Sequence, residues 1–488
     1  MRLLAAASAL TVALLSGAAA APAADVGAND DSAKYAADGG VALYGEMTAL
    51  GLRQTVIGVR FKPSEPIVIQ DKALLDRIIP NALDAGLKVV LAVYPYPPRE
   101  LEAGLGSPSL FGSYVAAVAS VYPEVKQFVV GNEPNQPAFW RPQFAGRANA
   151  SAAGFAPYLA AAYDALKAAD PNITVVGVGL SPRGNDRPDA KDNVSTSPVR
   201  FLRALGVWYR KSGRTRPLMD AFSLHPYPNR ASDPLDRGYT WPNAGFVNLD
   251  RVKQALWDAF HGTAQPTTVE GLKLHLDEVG WQVDTTGLAG YSGRENVPVT
   301  DELTQAAIYG ELIRRAACDP DVASLSFFGF RDDGARTGFQ AALQRLDGSP
   351  RPAAEAVRAA ITETAAGCRS PQEAWRSHAE VVGASVAVGT AGGSEVAARI
   401  GAGEDAHAVI CVRTLTTRGI AGDGGSRRAS RPGRGICRTA VVVGLRPRTV
   451  ALPAPAAAHG RVEVAVELQA DSNQARRTVV VREMALRG

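Results

Sequence analysis

Short apolar runs alternate with longer amphipathic segments over residues 25–368, and this alternation constrains the fold more than any other feature of the sequence. The apolar runs are rich in Val, Ile and Leu and lie at 25–29, 55–61, 87–93, 125–130, 173–178, 218–224, 272–276 and 322–328. Helical patterns follow them at 41–52, 72–85, 109–121, 151–169, 198–212, 249–260, 303–317 and 352–364. Continuous apolar strands separated by amphipathic helices predict a parallel sheet covered by helices.

The number of strand–helix units narrows this α/β class further. Eight units within 25–368 favour a closed (β/α)8, or TIM, barrel with long loops. An open, doubly wound sheet is the alternative, because periodicity alone does not report whether a parallel sheet closes. We expect the closed barrel on the count of units.

The sequence changes character after Cys368. Short strand patterns at 384–388, 408–413, 439–443 and 462–468 are separated by Gly, Pro and polar residues, which is typical of a small all-β sandwich. No Trp, Tyr or Phe follows Trp375, so this region lacks the aromatic faces on which sugar-binding modules stack pyranose rings. We therefore predict a barrel domain at 24–368 and a β-sandwich at 369–488 that serves as its structural partner.

The first residues have the pattern of a secretory signal peptide. Arg2 precedes an uncharged apolar run from Leu3 to Leu15, and small residues lead to a cleavage site after Ala23. The run is shorter than the roughly 20 residues that span a bilayer. The sequence thus predicts a signal peptide at 1–23, a secreted protein and no membrane span.

The four cysteines suit an oxidising compartment. Pairing Cys318 with Cys368 and Cys411 with Cys437 keeps each bridge inside one predicted domain, although the sequence leaves three connectivities open. A zinc or redox site lacks support because the chain has no C-x-x-C pair. The net charge of +4 is small for 488 residues and indicates no nucleic-acid partner.

Polar residues at the ends of the strands locate the candidate site, because active sites of (β/α)8 barrels lie at the carboxyl ends of the strands. Two glutamates, Glu133 after the fourth strand and Glu278 after the seventh, are expected to face each other across the barrel mouth. Glycoside hydrolysis uses two such carboxyl groups, one protonated to assist the leaving oxygen and one ionised to attack. The other strand-end candidates are Arg60, Tyr94, Tyr96, Asn132, His225 and Tyr227.

The segment around the first glutamate resembles a known signature. Asn132-Glu133-Pro134 is similar to the Asn-Glu-Pro motif of clan A glycoside hydrolases, and Asn135 with the following Phe139-Trp140 is closest to family 39, the β-xylosidases and α-L-iduronidases. The resemblance implies a retaining enzyme in which Glu133 is the acid/base. It also implies that Asn132 hydrogen-bonds the sugar 2-hydroxyl.

The same resemblance assigns roles on other strands. Glu278 matches the nucleophile on strand seven. His225 and Tyr227 match the strand-six position whose tyrosine steadies the nucleophile, and Arg60 matches the basic residue of strand two. Because strand side chains alternate between faces, only one of Asp277 and Glu278 is expected to enter the mouth.

Aromatic residues in the mouth loops predict sugar-stacking subsites. Trp281 has an alternative role, packing beneath the nucleophile strand instead of contacting substrate. The aromatic candidates are Tyr94, Tyr96, Trp140, Trp281, Tyr239, Trp241 and Tyr291.

The function that follows is a secreted retaining glycoside hydrolase acting on a plant or microbial polysaccharide or oligosaccharide. A transglycosylase with the same residues and a non-catalytic sugar- or wall-binding barrel are the alternatives. We expect a carbohydrate substrate and no cofactor. We also expect no metal, because His225, His275 and Asp277 do not form a known ligand motif such as H-E-x-x-H.

Overall fold

A computed structural model of the chain describes residues 24–368, 370–391, 395–416, 431–455 and 461–486. The predicted signal peptide at 1–23 lies outside the described residues. Within this part of the chain, no helix is both long enough and apolar enough to cross a membrane.

Eight parallel strands form a closed barrel in which each strand pairs with its neighbours in chain order and β8 pairs with β1. This confirms the predicted (β/α)8 barrel and rules out the open sheet. The strands are β1 Asp25–Asn29, β2 Gln54–Phe61, β3 Lys88–Pro95, β4 Gln127–Val130, β5 Thr174–Leu180, β6 Ala221–Leu224, β7 Lys273–Val279 and β8 Val322–Phe328.

Helices surround this barrel and bury their apolar faces against it, as in α7, where Val252, Leu256 and Phe260 are at most 1% exposed. Proline at the first helical position begins α4, α6 and α9, where the missing N–H costs no hydrogen bond. The helices are α1 Val41–Leu50, α2 Lys72–Asp84, α3 Pro98–Glu102, α4 Pro108–Val121, α5 Ser151–Ala169, α6 Pro198–Ser212, α7 Leu249–Phe260, α8 Glu302–Cys318 and α9 Pro352–Thr364.

The described strands beyond α9 build two antiparallel sheets, which confirms the β-sandwich. One sheet has the order β9-β10-β13 and the other β12-β11-β14-β15. Strand β14 alternates buried and half-buried residues, because only one face of each sheet meets the shared core. The strands are β9 Ser385–Thr390, β10 Glu395–Gly401, β11 Ala406–Thr416, β12 Arg431–Val442, β13 Arg448–Pro453, β14 Arg461–Ala470 and β15 Arg477–Ala485.

The sandwich docks on helices α6 and α7 of the barrel. Arg476 is fully buried between Asp258 of α7, at 3.3 Å, and Glu404 of the sandwich. Arg200 of α6 reaches Asp405 at 2.8 Å. A buried arginine needs carboxylates on all sides to offset its desolvation, so these ion pairs fix how the two units meet.

Of the three connectivities that the sequence leaves open, the structure has the one that keeps each bridge inside one predicted domain. Cys318 at the end of α8 bonds Cys368 beyond α9, and Cys411 of β11 bonds Cys437 of β12. Each bridge therefore stays within one unit, as the sequence analysis expects.

Candidate active site

The loop after β4 holds Glu133 in an unusual backbone conformation. Its φ is +43°, in the left-handed region that non-glycine residues avoid. The conformation is held by a hydrogen bond from its N–H to the carbonyl of Gly179 at 2.7 Å. The preceding Gly131, at φ +113°, leaves room that a Cβ would close, since that atom would lie 2.5 Å from the Val178 carbonyl oxygen. Strain of this kind is concentrated at functional sites.

Asn135 anchors the same loop from below. Its side chain is fully buried, donates to the carbonyls of Ser181 and Thr196 at 3.1 and 2.9 Å, and accepts from the Ser181 N–H at 3.0 Å. The last asparagine of the motif therefore ties the β4 loop to the β5 loop and leaves Asn132 and Glu133 to face the mouth.

A β-bulge at the end of β7 places Glu278. Leu276 pairs with Leu325 of β8 and Val279 pairs with Phe327, so two residues of β7 oppose one residue of β8. Asp277 and Glu278 are the two residues in the bulge. Regular alternation would send their side chains to opposite faces, whereas here both contact His225, and only Glu278 enters the cavity.

His225, just beyond β6, joins the two glutamates. Its side chain is 1% exposed, and its Nδ1 lies 3.1 Å from Oε1 of Glu133 and 3.3 Å from Oε2 of Glu278. Its Nε2 lies 3.4 Å from Oδ1 of Asp277. Burial disfavours the charged ring, but the negative charges of Glu278 and Asp277 outweigh it and hold the pKa of His225 well above 6.5.

The surroundings of Glu278 change its pKa and fix its side chain. Burial raises its pKa to about 7, with Glu133 and Asp277 adding to the rise and the His225 cation opposing it. Two hydrogen bonds hold its oxygens, from the Tyr227 hydroxyl at 3.1 Å and from the Asn29 side chain at 3.2 Å. The carboxyl group is thus fixed in position and changes charge near neutral pH.

The same three side chains have the spacing of a metal site. One nitrogen or oxygen atom from each of Glu133, His225 and Glu278 lies within 4.8 Å of the other two. However, carboxylates face both ring nitrogens of His225, and this surrounding is best satisfied by a doubly protonated ring. That doubly protonated form offers no lone pair to a metal ion.

The glutamates open into a cavity of about 370 Å³ at the barrel mouth. Asn132 and Tyr227 line it beside the two glutamates, in agreement with the positions expected for them. Its apolar walls include Phe139, Phe328 and Phe339, which offer ring faces of the kind that stack on sugars. No described residue of the sandwich lines it.

Arg60, Tyr94 and Tyr96 form a cluster next to this cavity and outside its lining. The guanidinium of Arg60 lies 5.3 Å from the centre of the Tyr96 ring and hydrogen-bonds Tyr94. Tyr94 meets Phe139 edge to face, with the ring centres 6.1 Å apart. The cluster therefore contacts Phe139, which lines the cavity, and does not line the cavity itself.

Two tryptophans expected in subsites lie in the core. Trp140 is 5% exposed and packs edge to face on Phe155 and Tyr158. Trp281 is 2% exposed, and its indole N–H donates to the Asp233 carbonyl at 3.1 Å. The position of Trp140 corrects the prediction that it contacts substrate, and Trp281 takes the alternative role expected for it, packing instead of contacting substrate. A large apolar ring at the base of a loop gains more from full burial than from exposure.

The other aromatic candidates also have structural contacts. Tyr239 is 8% exposed, and Trp241 lies under Arg200 near the sandwich, 5.4 Å from the guanidinium. The Tyr291 hydroxyl donates to Asp332 at 2.7 Å. Asp332 is also paired with the buried Arg351, so this network fixes the loops after β7 and β8 that supply Phe339 to the cavity.

Sequence reasoning missed three contributors to the site. Asn29 ends β1 and would have been found had the strand-end rule been applied to that strand. Ser223, whose hydroxyl donates to Asp277, is one position before the end of β6 and gives no signal of its own. Phe339 comes from the long loop after β8, where sequence position does not indicate the direction of a side chain.

Comparisons with known proteins give structural likeness and no sequence match. No protein-family model matches the chain, and no curated protein matches it. A family 39 glycoside hydrolase from Bacteroides cellulosilyticus WH2 aligns over 88% of this chain and 81% of its own, with 13% identity and a TM-score of 0.48. A glucosidase from Croceicoccus marinus aligns over 90% and 97%, with 12% identity and a TM-score of 0.47. A GH5_18 protein from Streptomyces cattleya, solved with GlcNAc, aligns over 72% and 83%, with 14% identity and a TM-score of 0.47.

Proposed function

We propose that the protein is a retaining glycoside hydrolase of the clan A type, with Glu278 as nucleophile and Glu133 as acid/base. The observation that carries the proposal is the pair of carboxyl groups from β4 and β7 that line one cavity and share His225. Two carboxyl groups flanking the scissile bond are the machinery of most glycosidases. The Asn132-Glu133-Pro134 motif on the strained β4 loop supports the same reading.

The contacts of Glu278 suit its role. Tyr227 and Asn29 fix both oxygens of Glu278, so one oxygen can be aimed at the anomeric carbon. Glu133 donates its proton to the leaving oxygen while Glu278 forms the glycosyl ester. Glu133 then removes a proton from water, the water attacks the same carbon, and Glu278 is released as a carboxylate.

The spacing of the carboxyl groups supports retention. An oxygen of Glu133 and an oxygen of Glu278 lie within 4.8 Å of each other. Retaining enzymes hold the two groups about 5–5.5 Å apart, whereas inverting enzymes separate them by about 6.5–9.5 Å to admit a water molecule. An oxygen–oxygen distance of this size is nearer to the retaining spacing than to the inverting spacing, and so it supports the proposal.

The substrate we propose is a polysaccharide or oligosaccharide of plant or microbial origin, met outside the cell. A cavity of about 370 Å³ with aromatic walls accommodates a sugar ring and part of a second residue. The two disulfides fit export to an oxidising compartment. The signal peptide predicted at 1–23 would direct it there.

The test is hydrolysis of a panel of nitrophenyl glycosides and wall polysaccharides by the wild type, Glu133→Gln and Glu278→Gln. We expect each variant to lose about 10³-fold or more in kcat on the substrate that the wild type cleaves, because each lacks a group used in the reaction. Glu311→Gln, a surface change on α8, is the matched control and should retain full activity. NMR of the first product should show the anomer of the substrate.

Several outcomes would contradict the proposal. Survival of activity in Glu278→Gln would remove the nucleophile assignment, and a first product of the opposite anomer would replace retention with inversion. Sugar transfer that dominates at high acceptor concentration would identify a transglycosylase. Thermal stabilisation by a glycan that is never cleaved would identify a binding protein.

A further inference from the structure

A buried polar chain lies directly beneath the two glutamates. Ser223 donates its hydroxyl hydrogen to Oδ1 of Asp277, and the same oxygen lies 3.4 Å from Nε2 of His225. All three residues are at most 3% exposed, and none of them lines the cavity. The two-glutamate reaction does not by itself require Asp277 or Ser223.

We propose that Asp277 is a positioning residue that keeps His225 doubly protonated, so that the Nδ1–H of His225 can follow the negative charge between Glu278 and Glu133 during the reaction. The inference rests on the proposed function, since glycoside hydrolysis moves that charge from one glutamate to the other. Ser223 orients the Asp277 carboxylate toward the ring.

The geometry meets the requirement for one donor and two alternate acceptors. Nδ1 of His225 hydrogen-bonds Oε1 of Glu133 at 3.1 Å, and Oε2 of Glu278 lies 3.3 Å from the same nitrogen, so a turn of the ring would bring its hydrogen from one glutamate to the other. Before attack, Glu278 is ionised and Glu133 holds a proton. After attack, Glu278 is an uncharged ester and Glu133 is a carboxylate. The site keeps one negative charge throughout, and the imidazolium keeps its own proton.

The groups that face His225 leave Asp277 as its permanent counter-ion. Glu133 approaches from the end of β4, Glu278 and Asp277 from β7, and the Tyr227 hydroxyl lies beyond Glu278. Of the three carboxyl groups, only Asp277 keeps its charge through both steps.

Gly179, at the end of β5, leaves room for the His225 ring because it has no side chain. A Cβ on Gly179 would lie 3.2 Å from Nε2 of His225. Gly179 contributes only backbone here, so no further charge faces the ring from β5. His275 lies two residues before Asp277, and burial lowers its pKa to about 4, so that it is neutral at pH 7.

The sign of the expected change depends on which charge Glu278 feels more strongly. Replacing Asp277 with Asn removes a negative charge that disfavours ionised Glu278, and it also releases the proton of His225. The His225 cation, 3.3 Å from Oε2 of Glu278, has the larger effect on that carboxyl group. Its loss should therefore raise the pKa of Glu278 and move the acidic limb of activity to higher pH.

The direct test is ¹⁵N NMR of the His225 ring at pH 7.5, with the resonance identified by its absence in His225→Gln. We expect both ring nitrogens to be protonated in the wild type and one to be unprotonated in Asp277→Asn. The acidic limb of kcat/KM should rise by about one pH unit in Asp277→Asn, the lower end of the effect of a charge at this distance. Ser223→Ala should shift it in the same direction and by less.

Asp220→Asn is the matched control, because Asp220 is a half-buried carboxylate at the opposite end of β6 that pairs with Lys167. It should lower stability and leave the limb in place. A neutral His225 in the wild type would overturn the proposal even if Asp277→Asn does not fold. An acidic limb of kcat/KM that stays at the wild-type pH in folded Asp277→Asn would also overturn the proposal. Absence of hydrolysis by the wild type on every substrate would instead contradict the proposed function, while the NMR result would still report the charge of His225.

Discussion

Two histidines inside the same barrel have opposite charge preferences. His275 contacts the Ser324 hydroxyl at 2.8 Å and the Gln127 side chain at 3.0 Å, and burial lowers its pKa to about 4. His225, one layer nearer the mouth, contacts three carboxyl groups, and its pKa is raised. Both rings lose water, so the difference comes from their neighbours. Burial neutralises a histidine unless carboxylates surround it.

The two layers follow different rules for buried polar groups. The deeper layer pairs neutral groups, such as Gln127 with His275 and Gln54 with Ser326 at 2.8 Å. Such pairs satisfy hydrogen bonds without a desolvated charge. The upper layer instead packs like charges around one cation, which costs stability but shifts pKa values toward the range where proton transfer is useful. We infer that the upper layer serves the proposed reaction and that the deeper layer serves folding.

Of the changes that test this comparison, His225→Gln should have the largest effect on kcat. The amide can still donate to one glutamate but carries no charge, so we expect kcat to fall about 10²–10³-fold, the loss seen when a fixed donor to a developing charge is removed. Steady-state kinetics across pH would measure it, with thermal unfolding to confirm the fold. A loss below about threefold would mean that the ring only fills space.

The pH profile of the wild type tests the upper layer without a mutation. In the proposed mechanism Glu278 must be ionised to attack, and its pKa is raised to about 7, so kcat/KM should decrease as the pH falls below about 7. The decrease should approach tenfold for each further pH unit. An acidic limb of kcat/KM near the ordinary pKa of Glu, about 4.3, would show that burial does not raise the pKa of Glu278.

His275→Gln should have the smallest effect and serves as the counterpart of His225→Gln. Glutamine can bond Ser324 and Gln127, and the ring it replaces is already neutral at pH 7. We expect kcat within about twofold of wild type and a loss of about 1 kcal/mol in the free energy of unfolding, the size of one hydrogen bond. A large loss of activity here would remove the distinction between the two layers.

The barrel was predictable from the sequence because its signal is repeated and local. Each of the eight strands is a run of apolar residues, and each was placed within a few residues of its observed bounds. The sandwich followed from a change in pattern at one position, whereas the sequence left three pairings of the four cysteines open and the structure shows which one forms. The sequence also predicted that Glu133 and Glu278 lie near each other, because the carboxyl ends of parallel strands must meet at one end of a barrel.

Two features of the site could not be predicted from the sequence. One depends on contacts between residues far apart in the chain, and the other depends on an irregularity in one strand. Trp140 and Trp281 lie in loops by position but in the core by packing, which depends on neighbours such as Phe155 and Tyr158. The bulge in β7 exists only through its pairing with β8, and it brings Asp277 and Glu278 to the same histidine.

The sequence by itself determined a barrel with two glutamates at its mouth, since hydrophobic periodicity and strand-end position are properties of the chain. The tertiary structure alone decided how those glutamates are charged and held. A pKa depends on the burial and the charges within a few ångströms of a group. For Glu278 those surroundings come from Asn29, Glu133, His225 and Tyr227, which only the closed barrel brings together.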